Sequence, residues 1–174
     1  MKPVKTALTI AGSDPSGGAG IQSDLKTFSR LNVYGMAVIA ALTAQNTQGV
    51  SSVAEIPPEF LEKQLDAVLS DIPPDAAKTG MLLTAAAVEV VARKVHEHRV
   101  KNLVVDPVMI STSGAPLLNA EARDIFRRAI LPLAFLVRRT FTRQASSLEI
   151  PSKRWKIWRR RRSASMAWER QTFC

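Results

Sequence analysis

Three features of the 174-residue chain point to an α/β fold with a mostly parallel central sheet. Short, almost wholly apolar runs alternate with amphipathic stretches of about 12 to 15 residues, as strands buried on both faces alternate with crossover helices. The apolar runs end in Gly, Asp and Pro, which are loop residues. No internal repeat competes with this reading. The alternation predicts five or six strands over residues 5–137.

The elements follow in order. Ala7-Leu-Thr-Ile-Ala11 reads as a buried strand that enters the loop Gly12-Ser-Asp-Pro-Ser-Gly-Gly-Ala-Gly20. Ile21, Leu25, Phe28 and Leu31 then recur at helical spacing until Tyr34-Gly35 breaks the pattern. Met36 to Ala44 is the next strand. Pro57-Pro58 opens a helix whose apolar face is Phe60, Leu61, Leu65, Val68 and Leu69. Asp75 to Thr79 forms a weaker strand. Thr84 caps a helix that runs to about His98. Leu103-Val-Val105 is a strand closed by Asp106-Pro107. A helix over Ala120 to Ile130 and a strand over Leu133 to Val137 end the series.

Charge divides the chain. Residues 1–137 carry 13 Lys and Arg against 13 Asp and Glu, a net charge of zero. Residues 138–174 carry 11 Lys and Arg against Glu149 and Glu169, which accounts for the whole +9. All three Trp residues (Trp155, Trp158, Trp168) and the single cysteine, Cys174, also fall there. Two units are therefore expected: a neutral domain over 1–137 and a basic, Trp-rich tail over 138–174. With one cysteine no internal disulfide can form. No apolar run approaches the roughly 20 residues needed to cross a bilayer, and the N-terminus lacks the form of a signal peptide. No membrane partner and a cytoplasmic location are expected.

In parallel α/β sheets ligands bind at the carboxyl ends of strands, so the loops Gly12–Gly20, Gln45–Gly49, Gly80-Met81 and Asp106–Gly114 are the places for function. The glycines of the first loop allow close backbone approach, and the helix after it offers free N–H groups. The loop matches neither the P-loop nor Gly-x-Gly-x-x-Gly, and composition alone does not separate a ligand loop from a plain turn. Gln45 and Asn46 can read a heteroaromatic ring, because an amide both donates and accepts; a polar turn has the same composition. Asp106 at a strand end could face a phosphate-bound metal ion or simply terminate the strand. His96 and His98, two apart on a helix, point to different faces and read as surface residues rather than ligands.

Together these segments carry a resemblance. Ala7-Leu-Thr-Ile-Ala-Gly-Ser-Asp-Pro-Ser-Gly-Gly-Ala-Gly-Ile-Gln22, Asp24-Leu-Lys-Thr-Phe28, Ala44-Gln-Asn-Thr47, Lys78-Thr-Gly-Met81 and Val105-Asp-Pro-Val-Met109 closely resemble, in order, the N-terminal half of hydroxymethylpyrimidine and phosphomethylpyrimidine kinases. The resemblance implies a partial ribokinase-like domain, a mostly parallel sheet flanked by helices, with the C-terminal half missing. It implies ATP-dependent phosphorylation of 4-amino-5-hydroxymethyl-2-methylpyrimidine and then of its monophosphate, in thiamine biosynthesis. ATP and Mg2+ are the cofactors it implies, and a small pyrimidine is the partner. By match, Gln45 hydrogen-bonds the aminopyrimidine and Asp24 sits beside the ring's polar edge. Thr43, Met81 and Val108 line the pocket, while Gly12, Gly17, Gly18 and Gly20 surround the hydroxymethyl end. Asp106 lies towards the Mg-ATP phosphates. The related pyridoxal kinases are the alternative, and Ala44-Gln-Asn-Thr47 favours the pyrimidine. The catalytic base and anion hole belong to a Gly-Thr-Gly loop of the family that residues 1–174 do not contain, so no catalytic base is assigned and little turnover is expected. A non-catalytic pyrimidine-binding remnant is the second alternative.

The tail invites a nucleic-acid reading, because Lys153 to Arg162 combines cationic charge with stacking Trp. Codon arithmetic favours another. Trp155 to Arg162 can be encoded so that a frame one nucleotide earlier reads Leu-Glu-Asp-Met-Glu-Glu-Ala-Ala. In the same frame Arg138 to Gln144 permits Thr-Pro-Asn-Leu-His-Glu-Ala, the family's continuation. Residues 138–174 are therefore expected to be out-of-frame translation and poorly ordered, and nucleic acid is not the expected partner. Apolar surface left uncovered by a missing half makes a homodimer an expected outcome.

Overall fold

The computed structural model describes residues 3–108, 120–139, 156–160 and 168–172. The element order is β1 (Thr6–Gly12), α1 (Gly20–Arg30), β2 (Tyr34–Asn46), β3 (Gly49–Glu55), α2 (Pro58–Asp71), β4 (Ala76–Thr79), α3 (Ala85–Glu97) and β5 (Leu103–Val105). Then come α4 (Ala120–Ile125), continued by a π-turn over Phe126–Ile130 and a short 3-10 turn, and β6 (Leu136–Arg139). Two strands of the basic segment follow, β7 (Lys156–Arg160) and β8 (Trp168–Thr172).

The strands form one sheet in the order β3-β2-β1-β4-β5-β6-β7-β8. The steps from β2 through β7 are parallel, while β3 and β8 pair antiparallel at the two edges. Six of the strands lie within residues 6–139, in line with the expected number. Of the segment 138–174, the structure describes the end of β6 together with β7 and β8. The expected poor order otherwise falls on residues outside the described ones.

One face of the sheet makes the main core. Leu8, Ile10, Val38, Leu103, Val105 and Val137 are fully buried beneath Leu61, Leu65, Val88, Val91, Phe126 and Ile130. The helix α1 packs on β1 and β2 from the other face. The N-terminus of α3 is capped as expected, with the Thr84 side chain accepting from the N–H of Ala87. Near the end of β1 the register with β2 shifts between Ala11 and Gly12. Gln64 of α2 spans this irregularity, accepting from the N–H of Ile39 and donating to its carbonyl.

Several sequence expectations are corrected. The strand β3 was unexpected because its side chains are mostly exposed and carry no clear alternation. β2 runs two residues further than expected, so Gln45 and Asn46 end a strand instead of opening a loop. Leu31 and Phe60, assigned to apolar helix faces, are 66% and 56% exposed. Leu31 lies past the last residue of α1, and Phe60 points away from the face made by Leu61, Leu65 and Leu69. No described helix is long and apolar enough to cross a membrane.

Candidate functional site

The parallel strands bring Gly12, Gly80, Asp106 and Arg138 to one edge of the sheet, at the carboxyl ends of β1, β4, β5 and β6. The loop after β1 is built around Asp14, whose residue is 1% exposed. Asp14 Oδ1 accepts from the N–H and hydroxyl of Ser16, and Oδ2 accepts from the N–H groups of Gly18 and Ala19. Burial pushes this carboxyl up. The hydrogen bonds from Ser16, Ala19 and Gly18 together outweigh that penalty and hold it below its ordinary value. The N–H groups of Gly18 and Ala19 are thus committed to Asp14. Gln22 closes the loop from the helix side by accepting from the N–H of Asp14.

Two glycines in this loop have steric reasons. Gly20 has φ +57, and a Cβ there would fall 2.5 Å from the carbonyl oxygen of Gly12. A Cβ on Gly12 would fall 2.4 Å from the terminal methyl of Met81, and the Gly12 N–H donates to the Met81 carbonyl. Met81 therefore seats directly on Gly12. On the other side of β1, the Ser13 N–H donates to Ala41, and Ser13 and Thr43 are joined twice. Thr43 N–H donates to Ser13 Oγ at 3.1 Å, and Thr43 Oγ1 donates to the Ser13 carbonyl at 2.9 Å. Thr43 Oγ1 also stands 3.4 Å from Gln45 Oε1. Met81, Gly12, Ser13, Thr43 and Gln45 thus form one contiguous row of contacts.

Asp24 is held one turn further along α1. Its Oδ2 accepts from Thr9 Oγ1 at 2.6 Å and from Lys78 Nζ at 2.7 Å. Val108 lies after Asp106 at the end of β5, with its N–H donating to the Asp106 carbonyl. Asp106 Oδ2 is paired with Arg138 Nη2 at 2.6 Å. Residues Met109 to Gly114 of the expected loop lie outside the described residues. Among the described residues no group of three or more His, Cys, Asp or Glu could hold a metal ion. With Asp106 already paired to a guanidinium, the donor set does not suit a resident divalent cation. His96 is exposed, as expected; His98 instead contacts Asp66 at 3.1 Å within an ion cluster between α2 and α3.

Residues that sequence reasoning left out of the site are Thr9, Ser13, Asp14, Lys78 and Arg138. Asp14 carried a usable signal, since Asp-Pro-Ser-Gly is the composition of a turn closed by its own side chain. Lys78 carried another, being the one charged residue in a short strand otherwise made of Ala and Thr.

The family described as phosphomethylpyrimidine kinase matches residues 14–140. The hydroxymethylpyrimidine/phosphomethylpyrimidine kinase of Salmonella typhimurium is 51% identical over 148 residues, covering 85% of this chain and 56% of the relative. The Bacillus subtilis protein of the same name is 50% identical over 131 residues, covering 75% and 48%. The chain spans about half the length of the curated relatives it matches. Among solved structures, a phosphomethylpyrimidine kinase from Clostridium difficile superposes with a TM-score of 0.74 at 48% identity, over 78% of this chain and 59% of that one. The pyridoxal kinase of Staphylococcus aureus in complex with AMP-PCP and pyridoxal gives 0.68 at 37% identity, over 79% and 49%.

Proposed function

Because the chain belongs to the phosphomethylpyrimidine kinase family, we propose that it carries the pyrimidine-binding side of an ATP-dependent kinase of thiamine biosynthesis. The substrate is 4-amino-5-hydroxymethyl-2-methylpyrimidine, followed by its monophosphate. The observation that supports this most is the contact row Met81–Gly12–Ser13–Thr43–Gln45 at the carboxyl end of the sheet. In this reading Gln45 pairs with the ring through its amide, Met81 and Val108 supply apolar walls, and the Gly12–Gly20 loop approaches the hydroxymethyl group. Asp24 faces the polar edge of the ring. Phosphoryl transfer rests on positioning and on stabilising charge, and these residues do the positioning. ATP is the phosphoryl donor, and Mg2+ arrives with it as part of that substrate, towards Asp106. Pyridoxal is the second candidate substrate, favoured by the likeness to pyridoxal kinases, though at lower identity than to the pyrimidine kinases.

We propose further that residues 138–174 are out-of-frame translation. The test is an ATP-dependent phosphorylation assay on two proteins, with the pyrimidine and with pyridoxal. One is the chain as it stands; the other restores the frame by one nucleotide after Val137 in the intact gene. The expected result is pyrimidine phosphorylation by the restored protein alone. Robust turnover by the chain as it stands would contradict the out-of-frame reading of residues 138–174. A restored protein that prefers pyridoxal would replace the substrate.

A further inference from the structure

Asp24 receives two donors on one oxygen, and they come from two different strands. Thr9 Oγ1 of β1 and Lys78 Nζ of β4 both reach Oδ2, at 2.6 and 2.7 Å. Thr9 and Lys78 are register partners across the β1–β4 pair, so the sheet sets the spacing of the two donors. Thr9 is fully buried, and the side chains of Lys78 and Asp24 are 23% and 22% exposed. The other oxygen, Oδ1, has no partner among the described residues.

Folding alone gives little reason for this arrangement. Next to Lys78 in the same sheet row stands Val104, followed by Leu136, so apolar side chains suit that face. A lysine held three-quarters buried loses hydration and rotamer freedom that a methionine of similar length would not. Gly80 leaves space on this face, because a Cβ there would fall 2.8 Å from Ala11 Cβ and 3.2 Å from Lys78 Nζ. The lysine is present for its charge, and its charge goes to Asp24. Two donors on Oδ2 fix the carboxylate's plane and keep an ionised acceptor at hand, while Oδ1 remains open to a donor from outside the chain.

We infer that Lys78 and Thr9 are positioning residues that hold Asp24 to accept a hydrogen bond from the exocyclic amine of the pyrimidine. This rests on the pocket proposed above and assigns the part of it that distinguishes a 4-aminopyrimidine from its des-amino analogue. A site built to bond an N–H rejects the analogue lacking it, since the buried acceptor is then left unpaired.

The experiment is calorimetric titration of the chain with 4-amino-5-hydroxymethyl-2-methylpyrimidine and with 5-hydroxymethyl-2-methylpyrimidine. The variants are Lys78→Met, Lys78→Arg and Thr9→Val. Lys78→Met is expected to weaken the amino ligand about tenfold and the des-amino ligand less than about twofold, with Lys78→Arg recovering most of the loss. Thr9→Val, which removes one donor and keeps the volume, gives the same pattern at smaller size and serves if Lys78→Met fails to fold. Equal weakening of both ligands, or of neither, would show that the pair merely pins α1 to the sheet and would overturn the inference alone. Failure of the unmodified chain to bind either ligand would overturn the pocket itself.

Discussion

Arg138 Nη2 lies 2.6 Å from Asp106 Oδ2, so the first residue of the basic segment is tied to the end of β5. Asp106 is nearly buried, with 6% of its side chain exposed, whereas Arg138 is 42% exposed. Arg138 Nε is buried without a hydrogen-bond partner among the described residues. The arginine thus pairs with one oxygen of the carboxylate through Nη2. Arg138→Met should cost about 1–2 kcal/mol, less than a fully buried pair because the arginine is well exposed. Adding Asp106→Asn should restore part of the loss. Urea denaturation of the two single variants and the double variant measures the coupling, and strict additivity would mean the contact contributes nothing.

Asp14 organises the first loop through four hydrogen bonds. Its carboxyl is held below the ordinary value in the folded state, burial opposing and the Ser16, Ala19 and Gly18 hydrogen bonds prevailing. A depressed folded value means the stabilisation is fully present above the unfolded pKa, near 4, and is lost as pH falls through the lower folded value. Asp14→Asn should lower stability by about 1–2 kcal/mol at neutral pH and flatten the acid limb below about pH 4. Unfolding curves at pH 7 and pH 3 check both parts.

Gly12 and Gly20 should respond differently to alanine. At Gly20 a Cβ meets backbone atoms and the φ of +57 is left-handed, so Gly20→Ala should cost about 1–3 kcal/mol. At Gly12 the Cβ meets the far end of the flexible Met81 side chain, which can turn aside. Gly12→Ala should therefore fold with little loss yet weaken pyrimidine binding, because Met81 moves into the pocket. Thermal melts paired with ligand titration separate the two effects.

The ion cluster between α2 and α3 makes a separate acid-dependent contribution. Hydrogen bonds from Arg93, then from Lys94, hold Glu62 down to about 2, and Lys94 itself is raised by Glu62, Asp66 and Glu97. The Glu62 contribution is present above its ordinary value of 4.5 and fades as pH falls towards 2. Glu62→Gln should lose less stability than the unmodified chain between those limits. Chemical denaturation at stepped pH reads the difference.

The helices and buried strands were legible because periodicity and burial agree, as in Leu61, Leu65 and Leu69 or in Leu8 and Ile10. The strand β3 was not, because an exposed edge strand needs no apolar alternation to form; its order comes from pairing with β2. Gly12, Thr43, Gln45 and Met81 were singled out from motifs, and the structure sets them in one row of contacts through Ser13; their part in a ligand site is the proposal made above. The partners that hold them were hidden, since Thr9 meets Lys78 and Asp24 only through the strand register and the packing of α1. Arg138 was read as the start of a foreign tail, and nothing in its sequence context shows that it reaches Asp106.

The most direct test of the pocket is calorimetric titration of the chain as it stands with 4-amino-5-hydroxymethyl-2-methylpyrimidine, alongside Gln45→Ala. The account predicts saturable one-to-one binding that Gln45→Ala weakens by about 1–3 kcal/mol, with the thermal melt of the variant unchanged. Affinity for the pyrimidine that is the same with and without the Gln45 amide would contradict it.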